Sequence, residues 1–156
     1  MLQRVQSLFL LAASILMLMI FAWPLAFYYS ESIAVIVNVY QVKTLAAQQG
    51  GISVSPILTG FLSLLAIGCA ALSVYTIFKF RERLFQIQLA RIAVILDIVF
   101  IVIVFALTDF IRKKVGIAPD YGTSIFFPVV ALLFQLLAMR FIKKDENLVK
   151  STDRLR

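Results

Sequence analysis

Long apolar blocks constrain this chain more than any other feature of its sequence. Four such blocks occur, and each holds roughly 18–25 residues, the length that an α-helix needs to cross the hydrocarbon of a bilayer. Inside that hydrocarbon every backbone N–H and C=O must be satisfied within the protein, which favours helices. The blocks therefore predict four membrane-spanning helices, at about residues 5–29, 57–78, 89–110 and 125–142.

The composition is also that of an integral membrane protein. Apolar residues make up 62% of the chain and charged residues 15%, and the mean hydropathy is +0.99. Soluble domains average about 45–50% apolar and about 25% charged residues. We expect one all-α domain over residues 1–156, a four-transmembrane-helix bundle with a polar cytoplasmic tail at 143–156. The first block exceeds the roughly 7–15-residue core of a signal peptide, so it is expected to stay as an anchor.

Two polar segments leave their structure open. The loop at residues 30–55 contains the β-branched run SIAVIVNVYQV and then Gly50–Gly51, a turn signal. This pattern predicts a small strand pair in the first extracytoplasmic loop, or else a helical extension or irregular loop. The polar tail is predicted to form a short helix, which either lies on the membrane surface or extends the fourth span.

The basic turn Lys79–Arg91, between the second and third blocks, orients the chain. Four spans place this turn and both termini on one side, which carries all but four of the 15 Lys and Arg residues. An excess of Lys and Arg marks the cytoplasmic side, so both termini are expected in the cytoplasm. The expected basic anchors on that side are Lys79, Arg81, Arg83, Arg91, Lys143 and Lys144.

The position of the charges also indicates what the chain contacts. Basic residues lie at the ends of apolar blocks, which is typical of contact with the lipid bilayer and not with nucleic acid. Arg112 and Lys113 lie on the minority side, against the charge rule. Asp109 precedes them by three and four residues, within helical pairing distance.

Small and hydroxyl-bearing residues form a stripe along the second span, whose start is marked by Ser55–Pro56. They recur every three or four residues, so one helix face carries them. In lipid, small residues let helix backbones approach closely. We expect this stripe to be the main packing face inside the bundle; alternatively, a partner subunit packs against it. The members of the stripe are Thr59, Ser63, Ala66, Ala70 and Ser73.

Asp97 is the one ionisable residue well inside a predicted span. A charge at a helix centre costs roughly 2.5–3.5 kcal/mol on insertion scales, so Asp97 is expected to face protein or water. Asp97, Ser73 and Gln135 each lie about 7.5–9 Å along their helices from a cytoplasmic basic residue. They predict one intramembrane polar cluster, with a hydrogen bond from Asp97 to Gln135 or Ser73. The cluster is either an interhelical polar clasp or a proton or cation site.

Chemistry-bearing residues are otherwise scarce. The chain has no histidine and one cysteine, Cys69, so the commonest metal ligand and general base is missing and no intrachain disulfide can form. It has no phosphate-cradling glycine loop and no HExxH pattern. We expect no catalytic, cofactor-binding or metal-binding residue and no cofactor, and a lipid-modifying enzyme using Asp or Lys is the one enzyme class left open.

Three stretches carry a family resemblance: MLQRVQSLFLLAASIL, RERLFQIQLAR and the closing RFIKKDENLVKSTDRLR. With them the chain resembles a domain-of-unknown-function family (four-two-nine-three) of small four-span membrane proteins from Bacteroidota. The resemblance implies a multi-pass protein of the bacterial inner membrane and brings no activity with it. Such proteins often carry a cysteine at the position of Ala90, so a thiol role there is excluded.

Two functions follow as hypotheses. The first is a non-enzymatic subunit or scaffold of a larger membrane complex, working with a membrane-protein partner or as a homo-oligomer. It rests on the lack of catalytic groups, on the small-residue stripe and on the charged tail. The alternative is a small oligomeric transporter or channel that uses Asp97.

Overall fold

The computed structural model describes residues 2–29, 34–45, 54–80 and 82–153 of the chain. These residues are mainly helical, and a small antiparallel sheet lies at one end of the helices. In chain order the elements are α1 (Leu2–Met19), β1 (Ala26–Tyr29), β2 (Ala34–Val37), β3 (Val42–Thr44), α2 (Pro56–Phe78), α3 (Arg83–Val115), β4 (Asp120–Tyr121), a 3₁₀ turn (Thr123–Ile125) and α4 (Phe126–Asp153).

The helices form a membrane-type bundle. Within the described residues, three helical segments are long and apolar enough to cross a bilayer, namely Pro56–Phe78, Leu84–Val115 and Thr123–Asn147. The apolar part of α1, Val5–Met19, is shorter. Both α1 and α3 pack against α2 and α4, so the four helices form a ring with α1 and α3 at opposite corners.

The first predicted span was wrong at its far end. The helix ends at Met19, and residues 26–29 of the predicted 5–29 segment form strand β1 instead. Pro24 has no N–H to donate to a helix, and the residues after it include aromatic side chains that suit a strand. Pairing with β2 then satisfies the backbone groups that a continued helix would have satisfied.

The start of α2 agrees with the prediction, whereas α3 and α4 extend beyond their predicted bounds. Helix α2 begins at Pro56, as the Ser55–Pro56 pair predicted. Helix α3 extends beyond the predicted 89–110 segment at both ends. It ends at Val115 and is followed by Gly116, whose positive φ of 74° suits glycine. Helix α4 continues to Asp153, so the tail extends the last helix. An α-helix satisfies its own backbone in water and in lipid alike, so hydropathy does not mark where it ends.

The first loop folds as strands and not as a helical extension. Strand β2 pairs antiparallel with β1, from Ala26 opposite Val37 to Tyr29 opposite Ala34. Strand β3 adds to the other edge of β2, and β4, from the loop between α3 and α4, pairs with β1. The described residues thus form a four-stranded sheet of order β3-β2-β1-β4. The predicted turn at Gly50–Gly51 lies outside the described residues.

Hydrogen bonds fix this sheet on the end of the bundle. The Gly122 N–H donates to the Leu25 carbonyl at 2.9 Å, and the Ser124 hydroxyl donates to the Pro24 carbonyl at 2.6 Å. The buried Tyr28 hydroxyl donates to the Thr108 carbonyl of α3 at 2.6 Å. Burial raises the pKa of Tyr28 to about 12, which keeps this donor protonated at neutral pH. The sheet is therefore attached both to α3 and to the α3–α4 loop.

Gly122→Ala is expected to lower the free energy of unfolding by about 1–3 kcal/mol. A Cβ atom at this position would collide with the Pro24 carbonyl oxygen and displace the chain from its bond to Leu25. Thermal unfolding of the purified protein in mild detergent, followed by circular dichroism, measures the loss. Gly60→Ala is the matched control, because its Cβ would have no heavy atom within 4 Å. Equal stability of the two variants would contradict the close packing of the sheet on the loop.

Candidate functional site

Three polar side chains are fully buried near the middle of the bundle, one on each of the three long helices. They are Ser73 of α2, Asp97 of α3 and Gln135 of α4, and each has 0% of its surface exposed. We call them the central polar layer. Burying polar groups is costly unless they are hydrogen-bonded, and more so in a membrane. Their partners therefore decide what the layer does.

Two of the three residues join α2 to α4. The Gln135 side-chain amide donates to the Ser73 hydroxyl oxygen, with Nε2 and Oγ 3.4 Å apart. The Ser73 hydroxyl in turn donates to the Cys69 carbonyl one turn earlier, at 2.9 Å. A polar clasp between helices therefore exists, and it involves Gln135 and Ser73.

The predicted hydrogen bond from Asp97 was wrong. Within the described residues, neither carboxylate oxygen of Asp97 has a hydrogen-bond partner, and neither does Oε1 of Gln135. The Ser73 hydroxyl hydrogen is already directed at the Cys69 carbonyl, and one hydrogen of the Gln135 amide is directed at Ser73.

The layer therefore holds three buried acceptor oxygens without a donor from the described protein groups. A carboxyl group in such surroundings is satisfied when it carries a proton, because it then becomes a donor itself. A bound cation would satisfy the same oxygens. Chemically, the layer can hold a proton or a small cation, and it offers no nucleophile paired with a base.

The small-residue stripe of α2 faces inward. Thr59, Ala66, Ala70 and Ser73 are buried, and Ser63 is half-buried. The Thr59 and Ser63 hydroxyls donate to carbonyls of their own helix, at 3.2 and 2.9 Å, and the Ser63 hydroxyl also lies 3.4 Å from the Val39 carbonyl oxygen. The stripe serves packing inside the chain, which leaves the opposite face of α2 for any partner.

That opposite face carries two glycines that our sequence interpretation did not single out. Gly60 and Gly68 are exposed, and a Cβ atom on either would meet no heavy atom within 4 Å. Their spacing of eight residues, which keeps both on one side of a helix, was the available signal. A groove of about 430 Å³ also lies between α1 and α2. It is lined by Leu18, Ile67, Ala70, Ala71, Val74, Tyr75 and Phe78.

The predicted basic anchors are dispersed in the structure. Lys79 pairs with Glu82 at 3.6 Å and lies over the rings of Tyr75 and Phe85. Arg91 is exposed on α3, and Lys143 and Lys144 are exposed on α4. Arg81 and the side chain of Arg83 lie outside the described residues. On the opposite end, Asp109 binds Arg112 at 2.6 Å and Lys113 at 2.8 Å, as its spacing predicted.

The side chains that could bind a metal ion are also far apart. Among the residues that the structure describes, no three His, Cys, Asp or Glu side chains come together in a possible metal site. Cys69 is buried as a free thiol. The central polar layer and the outer face of α2 remain as two candidate sites among the described residues.

Comparison with known proteins gives one finding. The sequence model of a family described as Domain of unknown function (DUF4293) matches residues 2–155, which is nearly the whole chain. A comparison with curated proteins gives no match.

Asp97→Asn is expected to leave the thermal unfolding temperature unchanged or higher, because it removes a buried ionisable group that makes no hydrogen bond to the described residues. Ser73→Ala is expected to cost about 0.5–1 kcal/mol, because it removes the acceptor of Gln135. Thermal unfolding in detergent compares the two variants. Ser14→Ala, which removes a hydroxyl bonded within its own helix, is the control. A larger loss for Asp97→Asn than for Ser73→Ala would show that Asp97 holds helices together.

Proposed function

The chain belongs to the DUF4293 family, a family of unknown function, and we propose that it is a non-enzymatic subunit or scaffold of a larger membrane complex. In this proposal a transmembrane helix of a partner protein packs on the outer face of α2. The protein crosses the bacterial inner membrane four times, with both termini in the cytoplasm.

The packing of α1 supports four crossings. Phe9 stacks with Phe141 at 5.6 Å and contacts Phe134 at 5.8 Å between ring centroids. Trp23, just after α1, meets Phe127 at 6.0 Å. The chain from Phe9 to Trp23 therefore runs antiparallel to α4 over most of the apolar length of α4. An even number of crossings puts both termini on the side of the basic turn, which the charge rule makes cytoplasmic.

The two exposed glycines of α2 carry the proposal. Glycine costs about 1 kcal/mol relative to alanine inside a helix. No neighbour within 4 Å would meet a Cβ atom at Gly60 or Gly68, so the described packing of the chain does not require glycine there. Exposed glycines on a membrane helix let the backbone of another helix approach closely and gain van der Waals contact. Close approach of a partner helix to α2 would explain why both positions are glycine.

The groove between α1 and α2 favours the same occupant. Its lining includes the small side chains of Ala70 and Ala71 and the larger side chains of Leu18 and Phe78. A helix with small residues on one face fits such a surface, because packing and not hydrophobicity drives helix association in lipid. The partner is therefore expected to be an apolar transmembrane helix, from another protein or from a second copy of this chain.

Gly60→Leu/Gly68→Leu is expected to abolish association with the partner and to leave the fold intact, because both side chains would extend into open space. The chromosomally tagged protein would be purified in gentle detergent, and the bound proteins identified and quantified by mass spectrometry. A stoichiometric partner, lost at least tenfold in the variant, is the expected result.

The matched control is Ala106→Leu, a small-to-large change at an exposed position of α3. It is expected to keep the partner, since α3 has no part in the proposed contact. A chain that purifies alone and as a monomer from wild-type cells would contradict the subunit proposal. Equal loss of the partner in both variants would contradict the assignment of the contact to α2.

Transport is the second candidate, and Asp97 is the observation that favours it. Its two carboxylate oxygens and Oε1 of Gln135 are buried acceptors that lack a hydrogen-bond partner among the described residues. Intramembrane carboxylates of this kind commonly mark proton or cation pathways. In this proposal, Asp97 exchanges a proton or cation across the bundle of an oligomeric protein.

Liposomes containing the purified protein and a pH-sensitive dye test this second proposal. Asp97→Asn is expected to reduce proton flux to the level of protein-free liposomes, while Ser14→Ala leaves the flux unchanged. The same liposomes would then be tested with sodium and potassium gradients. A transport role for Asp97 would be contradicted if wild-type liposomes showed no flux, or if the flux of the Asp97→Asn variant equalled that of the wild type.

A further inference from the structure

One face of α4 changes from apolar to basic along its length. Leu133, Leu137, Arg140 and Lys144 are spaced by four, three and four residues, so they form one stripe along the helix. All four are exposed, Leu133 to 54% and Leu137 to 37%. The rise from Leu133 to Lys144 is about 17 Å, close to the roughly 15 Å half-thickness of the hydrocarbon.

The basic end of this stripe is a cleft. It has a volume of about 380 Å³ and is lined by Arg140, Lys143, Lys144 and Asn147. Among the described residues none of the ion pairs involves these three cations. By contrast, Asp109 offsets Arg112 and Lys113 at the other end of the bundle, and Glu82 offsets Lys79. The cleft therefore brings three positively charged side chains together at one end of α4.

We propose that the stripe binds one anionic phospholipid of the class that carries two phosphate groups, such as cardiolipin. The phosphates lie in the basic cleft and accept hydrogen bonds from Arg140, Lys143 and Lys144. One acyl chain lies along Leu137 and Leu133. Basic pockets beside transmembrane helices on the cytoplasmic side bind headgroups of this class.

Two features favour a lipid over a phosphorylated protein or a nucleic acid. The basic cleft continues without a break into the exposed leucines, and only a lipid presents phosphate and hydrocarbon in this order along a membrane helix. Three cations also exceed the charge of a single phosphodiester, which favours a headgroup with two phosphates. This inference is independent of the proposed partner on α2, because the residues lie on another helix.

The test uses the full-length purified protein, stripped of lipid in mild detergent and titrated with cardiolipin. Intact-complex mass spectrometry gives the bound fraction at each lipid concentration. The wild type is expected to bind one cardiolipin at least about tenfold more tightly than phosphatidylglycerol, which has one phosphate, and more tightly still than phosphatidylcholine. Arg140→Gln/Lys143→Gln/Lys144→Gln is expected to weaken cardiolipin binding by about 100-fold, from about 1 kcal/mol for each charge.

The control variant is Lys43→Gln/Lys113→Gln/Lys114→Gln, which loses the same charge at the opposite end of the bundle. It is expected to bind cardiolipin within about twofold of the wild type. An equal loss in both variants would show that only total charge matters, and would overturn the site. Equal affinities for cardiolipin and phosphatidylglycerol would overturn the two-phosphate class. Displacement of cardiolipin by equimolar pyrophosphate would overturn the acyl-chain contact, and with it the lipid.

Discussion

The bilayer's lack of hydrogen-bonding partners is the constraint on which the rest of this structure depends. It requires the backbone to be helical wherever it meets lipid, and it leaves the chain free to form strands only beyond the ends of the helices. The four-stranded sheet lies at such an end, where Gly122 and Ser124 bond to the segment that enters β1. The sheet thereby joins the chain after α1 to the loop before α4, and Tyr28 joins it to α3.

Much of this architecture could be predicted from the sequence, since hydropathy and length alone locate the apolar helices, and Pro56 marks the start of α2. The end of α1 could not be predicted in the same way, because residues 20–29 are apolar enough for either a helix or a strand. Residues 26–29 form a strand because they pair with residues 34–37, which follow later in the chain. The strand content of the first loop was one of two interpretations, and its pairing with β4 is a long-range contact that local pattern does not encode.

The members of the central polar layer could likewise be predicted from the sequence, whereas their hydrogen bonds could not. The sequence identified its three members, because polar residues inside apolar blocks stand out. It did not show which of them pair, since hydrogen-bond partners depend on how the helices rotate against each other. In the structure Gln135 and Ser73 form the clasp, and Asp97 is left with oxygens that the described residues do not satisfy. Small residues likewise divide between the inner stripe of α2, which packs the bundle, and the exposed Gly60 and Gly68.

Contact between the outer face of α2 and another membrane helix is tested most directly by photo-crosslinking in living cells. A photoreactive amino acid would replace Ala71, in the groove, and in a second strain the exposed Ala106 of α3. Such a contact predicts a discrete protein adduct from position 71, and lipid adducts alone from position 106. Lipid adducts alone from both positions would contradict it.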